Sequence, residues 1–183
     1  MTIINDPNRK VILEEYNSEW KIRFEDEFKI LQKVLVDFNP HIEHVGSTSV
    51  PGMVSKPIVD IMVGLQDLSR AKEVIEILEK KLLYHYDQTK EKVVPNRRHL
   101  WKGNQEIHLF HLWIVGIESK DWKDMIYVRE YLKHNENARN KYGNFKRNLI
   151  RNEINSISEY IKRKQIIYDE ILAEAWNYAK TTK

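Results

Sequence analysis

Apolar residues recur at steps of three and four near the start of the chain and predict an amphipathic helix over residues 18–37. The apolar stripe consists of Trp20, Phe24, Phe28, Leu31 and Leu35. Ser18 stands at the position of an N-cap residue, and the pair Asn39-Pro40 ends the helical pattern. We therefore expect the stripe to face the core.

Short apolar or alternating runs, bounded by glycine and proline, predict the strands of a sheet. The runs are residues 41–45, 57–64, 82–86, 98–102 and 107–115. Gly103-Asn104 predicts a hairpin between the last two. A helical stripe separates the second run from the third, with Asp67 as its predicted cap. That stripe consists of Leu68, Ala71, Ile75, Leu78 and Leu82.

From Ser119 onward the pattern becomes helical. One predicted helix face consists of Trp122, Ile126, Arg129 and Leu132, and another of Ile150, Ile154, Ile157 and Ile161. A helix, then mixed strands with an inserted helix, then further helices predict an α/β (α+β) fold, with a mixed sheet backed by helices and a helical C-terminal part. The length of 183 residues suits a single domain.

Composition narrows the functional classes. The net charge of +3 on a chain that is 31% charged is too mild for a dedicated nucleic-acid binder. The absence of cysteine excludes a thiolate metal site and fits a reducing compartment. The chain has neither a secretion signal nor eighteen consecutive apolar residues. We expect a cytoplasmic protein with no membrane partner.

The stretch HVGSTSVPGMVSKPIVDIMVGL, residues 44–65, combines small hydroxyl residues with glycine and proline. Gly46 follows a predicted strand and lets backbone amides approach a ligand closely. If a helical turn starts at Ser47 or Thr48, its unpaired amides can bind a phosphate oxygen. The alternative is an ordinary strand-to-helix turn that serine caps.

Asp60 lies among β-branched residues of the second predicted strand, where an unpaired carboxylate would be costly to bury. Beside a phosphate-binding turn, it is a natural ligand for Mg²⁺, which prefers carboxylate, phosphate and water oxygens. The alternative is that Asp60 pairs with Lys56, His44 or a backbone amide. Both readings require a partner for the carboxylate.

The segment GSTSVPGMVSKPIVDI resembles the signature of the GrpB family, GST-x-VPG followed by KP-x-hydrophobic-D. Further matching segments are Arg97-Arg98-His99, Phe110-His111-Leu112, Val128-Arg129-Glu130-Tyr131-Leu132, and Tyr142 with Lys146. The resemblance covers nearly the whole chain, from about Tyr16 to Tyr178. It identifies the chain as a GrpB-like protein.

This resemblance implies a nucleotidyltransferase-like fold, in which a Gly-Ser turn holds phosphates and acidic residues on adjacent strands hold a divalent metal, Mg²⁺ or Mn²⁺. GrpB-like domains also occur fused to dephospho-CoA kinase, which implies nucleotide or cofactor chemistry. The residues expected to bind phosphate or substrate are Gly46, Ser47, Thr48, Lys56, Arg98, His99, Arg129, Tyr142 and Lys146. Asp60 and His111 are the expected catalytic residues and metal ligands.

The sequence departs from the nucleotidyltransferase pattern at Met62, where a second carboxylate is expected on the same strand face as Asp60. Two carboxylates so placed can bridge two metals about 3.5 to 4 Å apart. The neighbouring strand offers His111 instead, as a metal ligand or general base. Alternation places His111 and Trp113 on one face and His108 on the other, unless a bulge intervenes.

Two classes of function follow. The first is metal-dependent nucleotidyl or phosphoryl transfer, to an acceptor that the sequence does not name. The alternative is a catalytically degenerate binder of a nucleotide, a CoA-related compound or another anionic metabolite. The basic residues of the C-terminal part raise a third hypothesis, RNA binding, although interspersed acidic residues favour a solvated helix face.

Overall fold

The structure is a computed structural model, and it describes residues 11–104, 107–151, 154 and 156–182. Its helices and strands follow one another as α1 (Glu19–Val34), β1 (His41–Val45), β2 (Val59–Leu65), α2 (Ala71–Leu82), β3 (His85–Tyr86), α3 (Gln88–Val93), β4 (Arg98–Gly103), β5 (His108–Gly116), α4 (Lys120–His134), α5 (Glu136–Arg151) and α6 (Ile157–Thr181). Short 3-10 turns occupy residues 36–38, 47–49 and 68–70.

The five strands form one mixed sheet in the order β1-β2-β5-β4-β3. Strands β2 and β5 run parallel, and the other neighbours pair antiparallel. In the pairing of β2 with β5, Asp60 is opposite His111 and Met62 is opposite Trp113. On the other side of β5, Trp113 is opposite His99 of β4. Because directly paired residues point to the same face, these five side chains share one face of the sheet.

Helices α1 and α2 cover the opposite face and form the largest apolar core. Its fully buried members include Trp20, Leu31, Leu35, Val59, Ile61, Val63, Leu78, Leu100, Leu112 and Ile114. One charged side chain enters this core, because Glu27 is 4% exposed. Its carboxylate accepts hydrogen bonds from Lys102 Nζ at 2.8 Å and from Tyr84 Oη at 3.0 Å, which offset the cost of burial.

The face that carries Asp60 and His111 is partly covered by the three C-terminal helices. Trp122 of α4 packs there on Val45, Met62 and Val115. Gly64 makes this contact possible, since a Cβ atom on it would lie 2.4 Å from the Trp122 ring. Further apolar residues, including Val50, Met53, Tyr131, Tyr142, Ile167 and Ile171, join these helices to one another and to the segment between β1 and β2. The C-terminal helices therefore pack on the sheet.

The mixed sheet, the hairpin of β4 and β5, and the helices on either side confirm the predicted fold class. The Asp67 cap is also confirmed, since its carboxylate accepts a hydrogen bond from the Ser69 backbone amide at 2.9 Å. Ser18 occupies the N-cap position of α1, as predicted, but its side chain makes no capping bond. Asn17 Oδ1 accepts from the Glu19 amide at 2.9 Å instead.

Two further predictions hold only in part. Of the predicted strand 82–86 only His85 and Tyr86 pair with β4, and the following residues form α3, which the sequence did not predict. The isoleucine stripe predicted as one helix face spans two helices, with Ile150 in α5, Ile157 at the start of α6 and Ile154 between them.

None of the helices within the described ranges combines the length and the apolar character that crossing a bilayer requires.

Candidate functional site

The site begins at the turn between β1 and β2. Gly46 has a φ of +71°, in the left-handed region that favours glycine, and the 3-10 turn of Ser47–Ser49 follows it. A Cβ atom at Gly46 would lie 2.4 Å from Asp60 Oδ2. The glycine therefore lets the carboxylate lie directly against the turn backbone. With three residues, this turn is too short to supply the dipole of an α-helix.

Asp60 and His111 face one another across the parallel pair β2 and β5. The Asp60 Oδ1 to His111 Nδ1 distance is 3.6 Å, and the two side chains are 30% and 19% exposed. Burial acts to raise the pKa of Asp60, but the polar contact with His111 and the charges of Lys56 and Lys164 lower it. Asp60 is therefore a carboxylate at neutral pH, and it is in partial contact with solvent.

Lys146 lies beneath the turn and connects it to α5. Its Nζ donates a hydrogen bond to Ser47 Oγ at 3.0 Å and another to the Val54 carbonyl. It also lies 4.6 Å from the centre of the Tyr142 ring. The residue is only 2% exposed. Burial lowers the pKa of Lys146 well below its usual value, and the charges of Lys164, Arg147 and Lys56 lower it further.

Lysines from separate parts of the chain thus act on one another and on Asp60, since Lys56 and Lys164 lower the pKa of both Asp60 and Lys146. Lys56 precedes β2, Lys146 belongs to α5 and Lys164 to α6. Burial raises the pKa of Tyr142 and the charge of Asp60 adds to this effect, so Tyr142 also belongs to the neighbourhood. We call the following set of residues the Asp60 site: Gly46, Ser47, Lys56, Asp60, His111, Tyr142, Lys146 and Lys164.

Lys164 is the residue that sequence reasoning missed. In the sequence it is one of several basic residues of the C-terminal part, directly after Lys162 and Arg163. Such a run is typical of a solvated helix face, and no local signal separates Lys164 from its neighbours. In the structure Tyr160, four residues earlier, is 1% exposed, so Lys164 lies toward the same inward face of α6.

The histidines of β4 and β5 extend the site along the sheet. Lys102 pairs with Phe110 and Gly103 with His108, which leaves Leu109 as the extra residue of a bulge. The bulge turns His108 toward His111, and their Nδ1 and Nε2 atoms are 3.0 Å apart. Because of this bulge, His108 lies on the same face as His111, and not on the opposite face that simple alternation predicts.

His99 packs beside this pair. Its ring centre lies 5.0 Å from that of His111 and 4.2 Å from that of Trp113. Burial, then the charge of His111, lower the pKa of His99 to about 4, so its ring is neutral near pH 7. Neither of its ring nitrogens has a hydrogen-bond partner among the described residues. His99 therefore places a neutral imidazole between Trp113 and His111 on this face of the sheet.

Arg98 is not brought to the Asp60 site. It pairs with Ile114, so its side chain points to the face that α1 and α2 cover. There its guanidinium lies 3.2 Å from Glu91 Oε1 and donates to the Pro95 carbonyl at 2.5 Å. Strand alternation explains the outcome, since consecutive residues such as Arg98 and His99 cannot face the same side.

Arg129 and Thr48 are engaged elsewhere. Arg129 donates to Glu43 Oε2 at 2.6 Å and to the His44 carbonyl at 2.9 Å, which anchors α4 to β1. Thr48 is 1% exposed, and its hydroxyl contacts His44 Nε2 at 3.1 Å. Both residues line a cleft of about 620 Å³ together with Ser49. Of the predicted phosphate-binding turn, Gly46 and Ser47 belong to the Asp60 site.

The described side chains do not form the metal centre of a two-metal enzyme. Within these residues no group of three or more His, Asp or Glu side chains is arranged to hold a metal ion. Met62, at the position of the second carboxylate, is 0% exposed and packs against Trp122. Asp60 and His111 are the two candidate ligands, and imidazole is a ligand of transition metals rather than of Mg²⁺.

Fold and site together define an α/β protein in which C-terminal helices pack over one face of a mixed sheet, beside a polar site at the strand ends. The comparison with protein families is more specific. The chain belongs to the GrpB family, whose model, described as GrpB protein, matches residues 10–174.

Relatives agree with this assignment. The UPF0157 protein BH1888 of Halalkalibacterium halodurans is 31% identical, over 92% of this chain and 84% of its own length. The glutamate-rich protein GrpB of Alkalihalophilus pseudofirmus is 29% identical, over 90% of this chain and 95% of its own. The crystal structure of the conserved protein GrpB from Enterococcus faecalis matches with a TM-score of 0.75 at 30% identity, covering 90% of this chain and 99% of that one.

Proposed function

We propose that this protein binds a phosphorylated small molecule, of the nucleotide or CoA-related class, at the Asp60 site. The observation that carries the proposal is that the charges of Lys56 and Lys164 act both on the Asp60 carboxylate and on Lys146, whose Nζ contacts Ser47 in the turn beside Asp60. The positive potential of these basic side chains attracts anions to the turn. It therefore favours a ligand that carries two or more negative oxygens.

The turn supports the same class of ligand. Gly46 carries no side chain and so leaves the backbone open to close approach, while Ser47 presents a hydroxyl beside Lys146. Hydroxyl and ammonium donors are common partners of phosphate oxygens. The expected ligand therefore places its phosphates between the turn and the lysines.

A second candidate function is metal-dependent nucleotidyl or phosphoryl transfer, in keeping with the resemblance to nucleotidyltransferases. The observation that favours it is the pair of Asp60 and His111, a carboxylate and an imidazole 3.6 Å apart and in contact with solvent. These two side chains would hold Mg²⁺ or Mn²⁺, which would neutralise charge on the phosphates. The protein residues would position the ligand and exclude water from it.

RNA binding receives less support, because several basic residues of the C-terminal helices are already paired. Lys141 lies 2.9 Å from Glu170, Arg163 lies 2.6 Å from Glu159, and Arg147 lies 2.7 Å from Glu15. These pairs reduce the positive face that α5 and α6 would offer to a polynucleotide.

The test is a binding panel of ATP, GTP, CTP, UTP and CoA precursors, each with and without Mg²⁺ or Mn²⁺, followed by melting temperature and calorimetry. A ligand that binds the native state raises the melting temperature. We expect Lys164→Met to weaken binding and Lys162→Met, on the exposed side of α6, to leave it unchanged. If no compound of the panel binds to a folded sample, both candidate functions are contradicted.

Asp60→Asn separates the two functions. If the site binds anions directly, removing the carboxylate charge strengthens binding, because repulsion of the ligand is lost. If binding proceeds through a metal held by Asp60, the same substitution abolishes the metal-dependent part. The sign of the change in affinity therefore decides between a metal-free binder and a metal-dependent transferase.

A further inference from the structure

We propose that Ser47 is a nucleophile and that Lys146 is the general base that activates it, so that a phosphoryl group passes through a covalent bond to Ser47 Oγ. The phosphoryl substrate rests on the proposed function. The nucleophile itself rests on a separate observation, the 3.0 Å contact between Ser47 Oγ and Lys146 Nζ.

The geometry of Lys146 suits a base. The Val54 carbonyl accepts one of its N–H groups, and the Tyr142 ring lies 4.6 Å from Nζ. When Lys146 is protonated, Nζ donates to Ser47 Oγ; in the neutral amine this contact reverses, and the Ser47 hydroxyl donates to the lone pair of Nζ while one N–H stays on the Val54 carbonyl. Lys146 is 2% exposed, whereas Ser47 is partly exposed. The base is therefore shielded from water, and the hydroxyl reaches the site.

The charges around Lys146 favour its neutral form. Lys164 faces it from α6, Arg147 from its own helix, and Lys56 from the segment before β2, while Tyr142 packs below it. Burial and these three cations lower the pKa of the amine, so that it can accept a proton. Serine and lysine form such nucleophile and base pairs on several unrelated folds.

The step balances without a further reactant. Ser47 Oγ attacks the phosphorus atom, and the Oγ–P bond forms as its proton passes to Lys146 Nζ. The bond between phosphorus and the leaving oxygen breaks, and Lys146 then returns the proton to that oxygen. Lys56 and Lys164 lie where they can stabilise negative charge on the phosphoryl oxygens. This route needs no second carboxylate, which Met62 replaces.

A neighbouring serine provides a matched control. Ser49 lies in the same turn, but its hydroxyl donates to the Gly46 carbonyl at 2.6 Å and is an exposed contact. Its proton is held by an amide carbonyl, which is a far weaker base than an amine. Ser49 is therefore expected to be unreactive under conditions in which Ser47 reacts.

The experiment treats the full chain with a fluorophosphonate, in which the Oγ–P bond forms, the P–F bond breaks and fluoride leaves. Peptide mapping of the modified wild-type protein should place the label on Ser47. Ser49→Ala should be labelled at the wild-type rate. Lys146→Met, which keeps the volume of the side chain, should be labelled at least about 100-fold more slowly.

Three results would overturn the proposal: no label, a label spread over other serines, or a rate that Lys146→Met leaves unchanged. If Lys146→Met does not fold, the rate of wild-type labelling against pH still decides. That rate should rise with pH to a plateau whose midpoint lies well below the usual lysine pKa. The binding panel is scored separately, so a protein that binds phosphates without labelling contradicts this inference and keeps the proposed function.

Discussion

Because Gly46 has no side chain, the Asp60 carboxylate can lie directly against the backbone of the turn. Gly46→Ala would place a Cβ atom 2.4 Å from Asp60 Oδ2 and a non-glycine residue at a φ of +71°. We expect a loss of about 2 to 4 kcal/mol in the free energy of unfolding, the sum of left-handed strain and overpacking. Urea unfolding measures it.

Gly52→Ala is the matched control for this prediction. Gly52 has a similar φ of +78°, but a Cβ atom there would lie 3.6 Å from its nearest neighbour, Arg139 Nε. It should therefore show the strain alone, about 1 kcal/mol. Equal losses in the two variants would mean that the contact with Asp60 costs nothing.

Substitution of Met62 by aspartate tests whether the core tolerates the second carboxylate of the nucleotidyltransferase pattern. Because Met62 is 0% exposed and packs against Val45, Val115 and Trp122, Met62→Asp would bury an unpaired charge in an apolar cluster. We expect a loss of more than about 4 kcal/mol, whereas Met62→Leu should cost less than about 1.5 kcal/mol. Chemical unfolding of both variants checks this. A stable Met62→Asp protein that gains metal binding would refute the assignment of Met62 to the core.

His99 makes stability depend on pH. Its pKa is about 4 in the folded protein and about 6.5 when unfolded, so the unfolded chain binds the proton first as pH falls. The contribution of His99 to stability is complete above pH 6.5 and is lost between about pH 6.5 and 4. His99→Phe should reduce the slope of unfolding free energy in that window by up to about 1.4 kcal/mol per pH unit, the value for one proton. An unchanged slope in urea unfolding from pH 4 to 7 would show that His99 does not stay neutral in the fold.

At the scale of elements, the start of α4 depends on one hydroxyl. Ser119 Oγ accepts a hydrogen bond from the Trp122 amide at 3.1 Å, and Trp122 is the residue that packs α4 on the sheet. Ser119→Ala should cost about 1 kcal/mol. Ser18→Ala, at the corresponding position of α1 but without a side-chain capping bond, should change stability by no more than a few tenths of a kcal/mol. Thermal unfolding of the two variants compares them.

The strands and the long helices were predictable because their apolar periodicity follows from burial. The short helix α3 was not, because its sequence QTKEKV has no apolar stripe and its local signal is Asp87, whose carboxylate accepts from the Thr89 amide. The isoleucine stripe failed for the opposite reason, since its spacing continues across the break at Ile154. Periodicity reports which residues are buried, and it does not report whether one helix or two bury them.

The site was predictable only in part. Gly46 and Asp60 were predictable because they are close in sequence and lie in one motif. His111 joins them because the pairing of β2 with β5 places it opposite Asp60. The inclusion of Arg98 was avoidable, because it and His99 are consecutive residues of one strand. Lys164 lies on a helix whose packing depends on the whole tertiary structure, and no local pattern predicts its approach to Asp60.

At the scale of the whole molecule, the two apolar layers are built on the same strands. Ile61 and Val63 face α1 and α2, while Met62 between them faces α4. Because both layers pack on the same strands, unfolding of either layer would expose one apolar face of the sheet to water and destabilise the other layer. We therefore expect one domain and a single cooperative transition in urea. Far-ultraviolet circular dichroism and tryptophan fluorescence should give coincident midpoints. Two separated transitions would show that the C-terminal helices form a second domain.

The contact between Ser47 and Lys146 joins residues that are 99 positions apart in the chain. During synthesis on the ribosome, the turn at Gly46 leaves the exit tunnel long before α5 exists, and Lys164 follows later still. The nascent chain therefore carries an exposed Asp60 with none of the α5 and α6 cations that balance it. We therefore expect the Asp60 site to be completed only late in translation, after α5 and α6 have been synthesised.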